Sequence, residues 1–270
     1  MLRFLFWNLN RKPIAPLGAK IAELHDVDVV LLAEMTGDPG PLASELTKRS
    51  RSHPYHHAKP NLCDKSTFLC PLQPCPYPAG VRYPTNDDPP TYASRPRDHS
   101  HCGGVHLSSK LHTRDDAQGA RCVQLAHDLT EQENKVGHSR TIIAGDFNMN
   151  PFEFGLASAP GFNAAMTPTL ARRATRLVES RPHRYFYNPM WNHFGDRGPN
   201  PPGTYFHENS TLRWNMFDQV LVRPDLIGKF MDSELKVLTA IGPDPLLKTS
   251  GIPDADVASD HLPFLFGLDV

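Results

Sequence analysis

The chain has 270 residues, 39% of them apolar and 21% charged, which is enough for a sizeable core and argues for a soluble, globular protein. Its net charge of −1 argues against tight, nonspecific binding to nucleic acid, which needs a basic face, and no basic stripe stands out. The apolar opening Met1–Trp7 lacks the parts of a signal peptide, and no stretch nears the roughly 20 apolar residues of a membrane helix, so no membrane span and a cytoplasmic location are expected.

Residues 2–7 are a dense apolar run and predict a buried strand. Pro13 to Val27 predicts a short helix with Ile21, Ala22 and Leu24 as apolar positions. Residues 28–33, Asp-Val-Val-Leu-Leu-Ala, predict a second buried strand, because their length and β-branched content favour strand over helix. Pro41 to Arg49 reads as helical. From about residue 50 to 103 the character changes. Ten prolines and five histidines fall there, with no run of four apolar residues and neither a strand nor a helix period, so residues 50–103 are expected to be irregular. The block is either a Pro-rich insertion or a stretch read out of frame. A zinc site from Cys63, Cys70, Cys75 and nearby histidines is a third reading, but the cysteine spacings do not match the paired C-x2-C pattern of structural zinc. Cys102 brings the cysteines of this block to four of the chain's five, and nothing in their spacing supports a disulfide framework.

Regular signals resume at Gly104, with Val105 to Leu107 as a strand end. Asp115 to Gln132 carries Ala117, Ala120, Val123, Leu125, Ala126 and Leu129 at helical spacing. Thr141 to Ala144 predicts a strand, followed by Gly145-Asp146-Phe147-Asn148. Strand-like runs recur near 184–187, 203–206, 213–222, 234–240 and 262–268.

Chemically capable side chains sit where these strands stop. Asn8 follows the first strand, Glu34 the second, and Asp146 and Asn148 a later one. Asp218 lies within Trp214-Asn215-Met216-Phe217-Asp218-Gln219-Val220-Leu221-Val222, and Asp260 and His261 precede the last strand. A buried carboxylate without a partner is costly, so several at strand ends point to a shared cation, or to each other, as partners. Open α/β sheets place their sites at such ends.

The pieces Phe6-Trp7-Asn8-Leu9-Asn10, Leu31-Leu32-Ala33-Glu34, Val105-His106-Leu107, Gly145-Asp146-Phe147-Asn148, Phe217-Asp218-Gln219-Val220 and Ser259-Asp260-His261 occur in this order across both ends of the chain. Together they resemble the endonuclease/exonuclease/phosphatase superfamily, which includes abasic-site endonucleases, DNase I-like nucleases, inositol polyphosphate 5-phosphatases and sphingomyelinases. The resemblance implies an α/β fold over one domain, residues 1–270: a four-layer sandwich of two facing mixed β-sheets with helices outside and the site at one edge. It implies hydrolysis of a phosphodiester or phosphomonoester by an activated water, with nuclease-like activity slightly favoured. Glu34 would be the main metal ligand, with Asn8 and Asp260 near the same cation, and hard oxygen ligands suit Mg²⁺, with Mn²⁺ as the alternative. Asp146 would orient or deprotonate the water, and Asn148 would hold that water or a phosphate oxygen. His261 would contact the phosphate with Asp218 behind it, and His106 would be a second phosphate contact or the acid for the leaving group. The substrate would be nucleic acid or a small phosphorylated molecule; no partner protein is inferable.

Each residue has a plainer reading. Asn8 is then a turn cap, Glu34 a surface residue, Asp146 and Asn148 a turn, and Asp218 a partner of Arg213. His106 and His261 are then ordinary buried histidines. The aromatic group Phe186, Tyr187, Trp191, Phe194 and Tyr205 reads as core or site wall ahead of a base-stacking platform. The sequence also departs from the family. Between the second strand and His106, other members carry strands with a Tyr or a His-supporting Glu, and often an Arg. Here only the Pro-rich block is present, so no residue of 50–103 is carried over, and sheet edges and His106 are expected to lack support. That departure motivates the alternative function, an inactive or damaged member acting only as a binding protein.

Overall fold

The computed structural model describes residues 1–50, 54–58, 66–70, 91–94, 101–110, 113–196 and 200–269. The N-terminal third runs β1 (Leu2–Asn8), α1 (Ala15–Leu24), β2 (Val29–Ala33), α2 (Pro39–Arg49), β3 (His56–Ala58), β4 (Ser66–Cys70), β5 (Thr91–Ser94) and β6 (His101–His106). The middle runs α3 (Asp115–Val136), β7 (Thr141–Asp146), α4 (Phe154–Ala157), β8 (Ala164–Ala165), α5 (Pro168–Ala171), β9 (Thr175–Val178), β10 (Arg181–Arg184) and β11 (Phe186–Tyr187). The last part is all strand and turn: β12 (Tyr205–Phe206), β13 (Trp214–Asn215), β14 (Asp218–Val222), β15 (Lys236–Val237), β16 (Ala240–Ile241), β17 (Asp244–Pro245) and β18 (Phe264–Leu268).

One six-stranded sheet has the order β15-β18-β1-β2-β4-β3, and the other β5-β6-β7-β14-β11-β8. Both are mixed. β1 is parallel to β2 and antiparallel to β18, while β6 is parallel to β7, which is antiparallel to β14. Side chains alternate across a strand, and here the alternation sorts them between two layers. Ile142 and Ala144 of β7 and Val220 and Val222 of β14 join Phe4 and Phe6 of β1 in one cluster between the sheets. Ile143 and Leu221 point the other way, against Cys122, Leu125 and Leu129 of α3. On the far side, α1 and α2 add Ile21, Leu42 and Leu46, with Gly18 lying over Leu32 of β2. Helix, sheet, sheet and helix are therefore the four layers. Each large apolar side chain so buried is worth about 1.5–3 kcal/mol, which is what makes the face of every strand non-negotiable.

The predicted helix over 115–132 extends to Val136, where Gly137 adopts φ 78° and its amide closes on the Glu133 carbonyl. A glycine in the left-handed region ends a helix there at no steric cost. The expectation for residues 50–103 needs correcting. Within that block β3 pairs with β4, β4 with β2, and β5 with β6, so its described parts extend both sheets. None of the ten prolines falls inside these strands. They punctuate segments of three to six residues, too short for a period to show against the surrounding proline. His106 consequently ends a paired strand, not an unsupported one. Of the cysteines proposed for zinc, Cys63 and Cys75 lie outside the described residues, while Cys70 and Cys102 are buried in different sheets.

One charged network lies deep in the second sheet's outer layer. Glu133 of α3 accepts from Arg223 at 2.9 Å and from Arg184 at 2.8 Å. Arg223 also donates to the Tyr185 carbonyl and lies 3.9 Å over the Phe186 ring. Glu133 and Arg223 are 1% and 2% exposed, so neither charge has water to fall back on. Removing one partner of such a pair strands the other. Glu133→Ala is therefore expected to cost about 3–5 kcal/mol of unfolding free energy, measured by urea titration; a loss within 0.5 kcal/mol, the usual range for a surface substitution, would contradict this account.

Candidate active site

The second sheet sets three ionisable groups side by side. His106, the last residue of β6, pairs in register with Asp146, the last of β7, and Asp146 pairs with Asp218, the first of β14. The parity that points Ile142 and Ala144 between the sheets also points Asp146 there, and Asp218 shares parity with Val220 and Val222. At the edge of the sandwich, the apolar row along each strand thus gives way to a row of polar groups facing the other sheet.

The first sheet answers with β1 and β2, whose ends Asn8 and Ala33 are also in register. Asn8 donates through Nδ2 to Asp146 Oδ2 at 2.9 Å, and its Oδ1 accepts from the Asn10 amide at 2.9 Å. Glu34, the residue after β2, takes φ 51°. That conformation is uncommon for a glutamate and marks a place where the surrounding structure dictates the backbone. Its carboxylate lies 3.2 Å from His106 Nε2 and 3.3 Å from Arg11 Nε. His106, and Arg11 to a lesser degree, hold it below the usual carboxylate range despite its partial burial. The His106 contact is off line for a hydrogen bond, and neither ring nitrogen has a hydrogen-bond partner among the described residues.

Asp146 is 1% exposed and receives the Asn148 amide at 2.8 Å and Asn148 Nδ2 at 3.2 Å. Asn148 is itself tied by Nδ2 to the Leu107 carbonyl at 2.8 Å and sits at φ 49°, a conformation asparagine tolerates. Burial, reinforced by the negative charge of Asp218, pushes the Asp146 carboxyl above its ordinary value. Asp218 faces His261 Nδ1 at 2.8 Å. Burial alone would lower the histidine, but Asp218, with Asp146 and Asp260 behind it, outweighs that and raises it to about 10. Asp260 is half-buried beside Ser259. The oxygens and nitrogen of Asp146, Asp218 and His261 lie within 4.8 Å of one another. The Asp218 partner is His261; Arg213 lies by Glu208.

Several groups that shape the site were not singled out from sequence. Trp7 Nε1 donates to the His261 carbonyl at 2.8 Å, and Ser259 Oγ donates to the Asn8 carbonyl at 2.7 Å. Thr204 Oγ1 accepts from the Asp218 amide at 3.1 Å, while its carbonyl accepts from Leu262. The signal for Trp7 was available, since an indole N–H in a buried strand needs an acceptor. Thr204 and Ser259 carried none, because their partners are 14 and 251 residues away. Of the aromatic group, Phe186 and Tyr187 are core, whereas Tyr205 lies 4.5 Å from the His261 ring. Burial, with Asp260, Asp146 and Asp218 nearby, raises the Tyr205 phenol to about 12.

Residues 5–261 match the family model described as Endonuclease/Exonuclease/phosphatase family. An AP endonuclease from Archaeoglobus fulgidus is similar in structure, with a TM-score of 0.60, 13% identity and full coverage of both chains. The 3′-5′ exonuclease NExo from Neisseria meningitidis gives 0.57 at 14% identity, again over both whole chains. ANGEL2, a 2′,3′-cyclic phosphatase in complex with adenosine-2′,3′-vanadate, gives 0.58 at 14% identity over all of this chain and 96% of the other. No curated protein matches the sequence. Identities this low speak for the fold and leave the substrate open.

The His261–Asp218 pair has a measurable signature. The folded protein holds the histidine proton more tightly than the unfolded chain does. The pair therefore stabilises the fold fully below the ordinary value of about 6.5 and loses that contribution as pH rises toward 10. In metal-free protein, Asp218→Asn is expected to bring the His261 titration well below its wild-type position, followed by NMR of the imidazole. An unchanged titration would show that Asp218 is not what holds the proton.

Proposed function

Because this chain belongs to the endonuclease/exonuclease/phosphatase family, we propose that it is a divalent-metal-dependent phosphoesterase that cleaves a phosphate ester by attack of an activated water. The observation that carries this reading is the in-register row of His106, Asp146 and Asp218 meeting Asn8 and Glu34 from the facing sheet. The residues fit a hard cation. Glu34, Asp146, Asp218 and Asp260 bring more negative charge to one edge of the sandwich than His261 and Arg11 offset, and buried Asp218 Oδ1 has no hydrogen-bond partner among the described residues. Glu34 would hold Mg²⁺ or Mn²⁺ with Asn8 and Asp260, all offering oxygen. When bound, the ion supplies positive charge against the phosphate oxygens.

The chain's own groups account for the rest. Asp146, with its pKa raised by burial, orients the water and takes its proton. Asn148 keeps Nδ2 on the Leu107 carbonyl and on Asp146, which leaves Oδ1 to accept from that water. His261 stays protonated around neutral pH, and with Nδ1 committed to Asp218 it offers Nε2 to a phosphate oxygen. His106, beside Glu34, contacts the phosphate from the other side or protonates the leaving group. Nucleic acid or a small phosphorylated molecule is the substrate, with nuclease-like activity favoured.

The test is Mg²⁺-dependent hydrolysis of bis-p-nitrophenyl phosphate, single-stranded and duplex DNA, and inositol phosphates, using native, chelated and Mg²⁺-restored protein. Chelation is expected to abolish turnover and Mg²⁺ to restore it. Asp146→Asn and Glu34→Ala should each lower kcat/KM by about 100-fold or more. Full activity in either variant would remove the assignments. Mg²⁺ should also raise the thermal midpoint of the wild type, by mass action on the native state, and raise it much less for Glu34→Ala.

A further inference from the structure

The β9–β10 hairpin belongs to neither large sheet. Its tip is Glu179-Ser180, both at positive φ (49° and 65°), which is the two-residue turn whose twist matches the flanking strands and makes a short hairpin stiff. Residues 172–184 contain five arginines, no lysine and one acidic residue, Glu179, in a chain whose total charge is −1. Among the described residues, Glu133 neutralises Arg184 and no acidic group pairs with the other four. Arg172, Arg173, Arg176 and Arg181 are exposed, and among the described residues none of them makes an ion pair. The strand register puts Arg176 opposite His183 and Val178 opposite Arg181, so Arg176 and Arg181 share one face as diagonal neighbours. The hairpin brings Arg176 and Arg181 together, and Arg172 and Arg173 stand in the turn just before β9.

The hairpin is rooted away from the site. It leads into β11, where Tyr187 pairs with Val222, the end of β14 opposite Asp218. Four residue steps along β14 separate those ends by roughly 13 Å. The Tyr185 carbonyl at the hairpin base is held by Arg223, whose amide bonds Thr141 at the start of β7, again the end opposite Asp146.

We propose that this hairpin is a contact for the phosphate backbone of nucleic acid, separate from the phosphoesterase site. Exclusive use of arginine favours phosphate, because a planar guanidinium fork binds two phosphate oxygens at once. A two-stranded ribbon also fits a nucleic-acid groove. A hairpin built to enter a membrane would carry apolar residues at its tip; this one carries Glu179 and Ser180 there, and its exposed Leu177 lies mid-strand on the face away from Arg176. The contact gives a long nucleic acid a second point of attachment that a short phosphate ester does not reach.

Fluorescence anisotropy tests this with labelled single-stranded and duplex 20-mers and full-length protein, in chelator so that no turnover occurs, over a range of salt. The comparison is with the quadruple variant Arg172→Gln, Arg173→Gln, Arg176→Gln and Arg181→Gln. The expected result is binding at least about tenfold weaker near 0.1 M salt, with the slope of log affinity against log salt reduced by about three to four. The thermal midpoint and hydrolysis of a small phosphodiester should be unchanged, since these arginines touch neither core nor site. Equal affinity and equal slope for variant and wild type would overturn the proposal. So would wild-type protein that binds phosphatidylserine vesicles through these arginines and binds neither 20-mer. No step in the measurement depends on catalysis, so its failure and the failure of the hydrolytic reading are separate results.

Discussion

Two buried carboxylates on adjacent strands, Asp146 and Asp218, are the constraint around which the rest is arranged. Strand register makes them neighbours, and burial removes the water that would otherwise screen them. Each therefore needs donors from elsewhere. Asp146 takes its donors from Asn8 of the facing sheet and from Asn148 two residues on; Asp218 takes its own from His261, and among the described residues its other oxygen is unmatched. Burial is the main reason the Asp146 carboxyl is pushed up, and the Asp218 charge that adds to it also raises the histidine.

The scaffold is built to keep those groups close. Gly145 pairs with Val105, and a Cβ at that position would fall 1.8 Å from the Val105 carbonyl, so only glycine lets β6 and β7 approach as they do just before His106 and Asp146. On the other side, Trp7 and Ser259 tie β1 to the loop that carries Asp260 and His261, and Thr204 ties that loop to the start of β14. The site is thus clamped by hydrogen bonds that join the first residues of the chain to the last. At the opposite end of the second sheet, Arg223 joins β14, α3 and the hairpin base around Glu133. One end of the sheet carries unbalanced negative charge and the other roots an arginine-rich ribbon. That separation lets a chain of near-neutral total charge present two electrostatically opposite surfaces.

Much of this was legible along the sequence. Apolar runs at 2–7, 28–33, 141–144 and 262–268 are strands because only burial on both faces accounts for such density, and the helical spacing of 115–132 places α3 on the outer layer. The candidate residues were legible for a related reason: a carboxylate, amide or imidazole abutting an apolar strand stands out, and Asn8, Glu34, Asp146, Asn148, Asp218, Asp260 and His261 all stood in that position, whereas His106 was marked only by the family resemblance. The strands in the Pro-rich block were not legible, since β3, β4 and β5 draw their stability from the strands they pair with, and three to five residues hold no period of their own.

By itself the sequence determined which residues must be buried, where strands end, and which polar groups sit at those ends, because these follow from local apolar density and spacing. Tertiary structure decided between the partners left open: it set Asp218 against His261, as the resemblance implied, and not against Arg213, it set Glu34 against His106 and Arg11, and it put Arg176 and Arg181 on one face of a ribbon. Those pairings depend on strand register and sheet facing, which bring together residues up to 254 positions apart, and no local pattern records such distances.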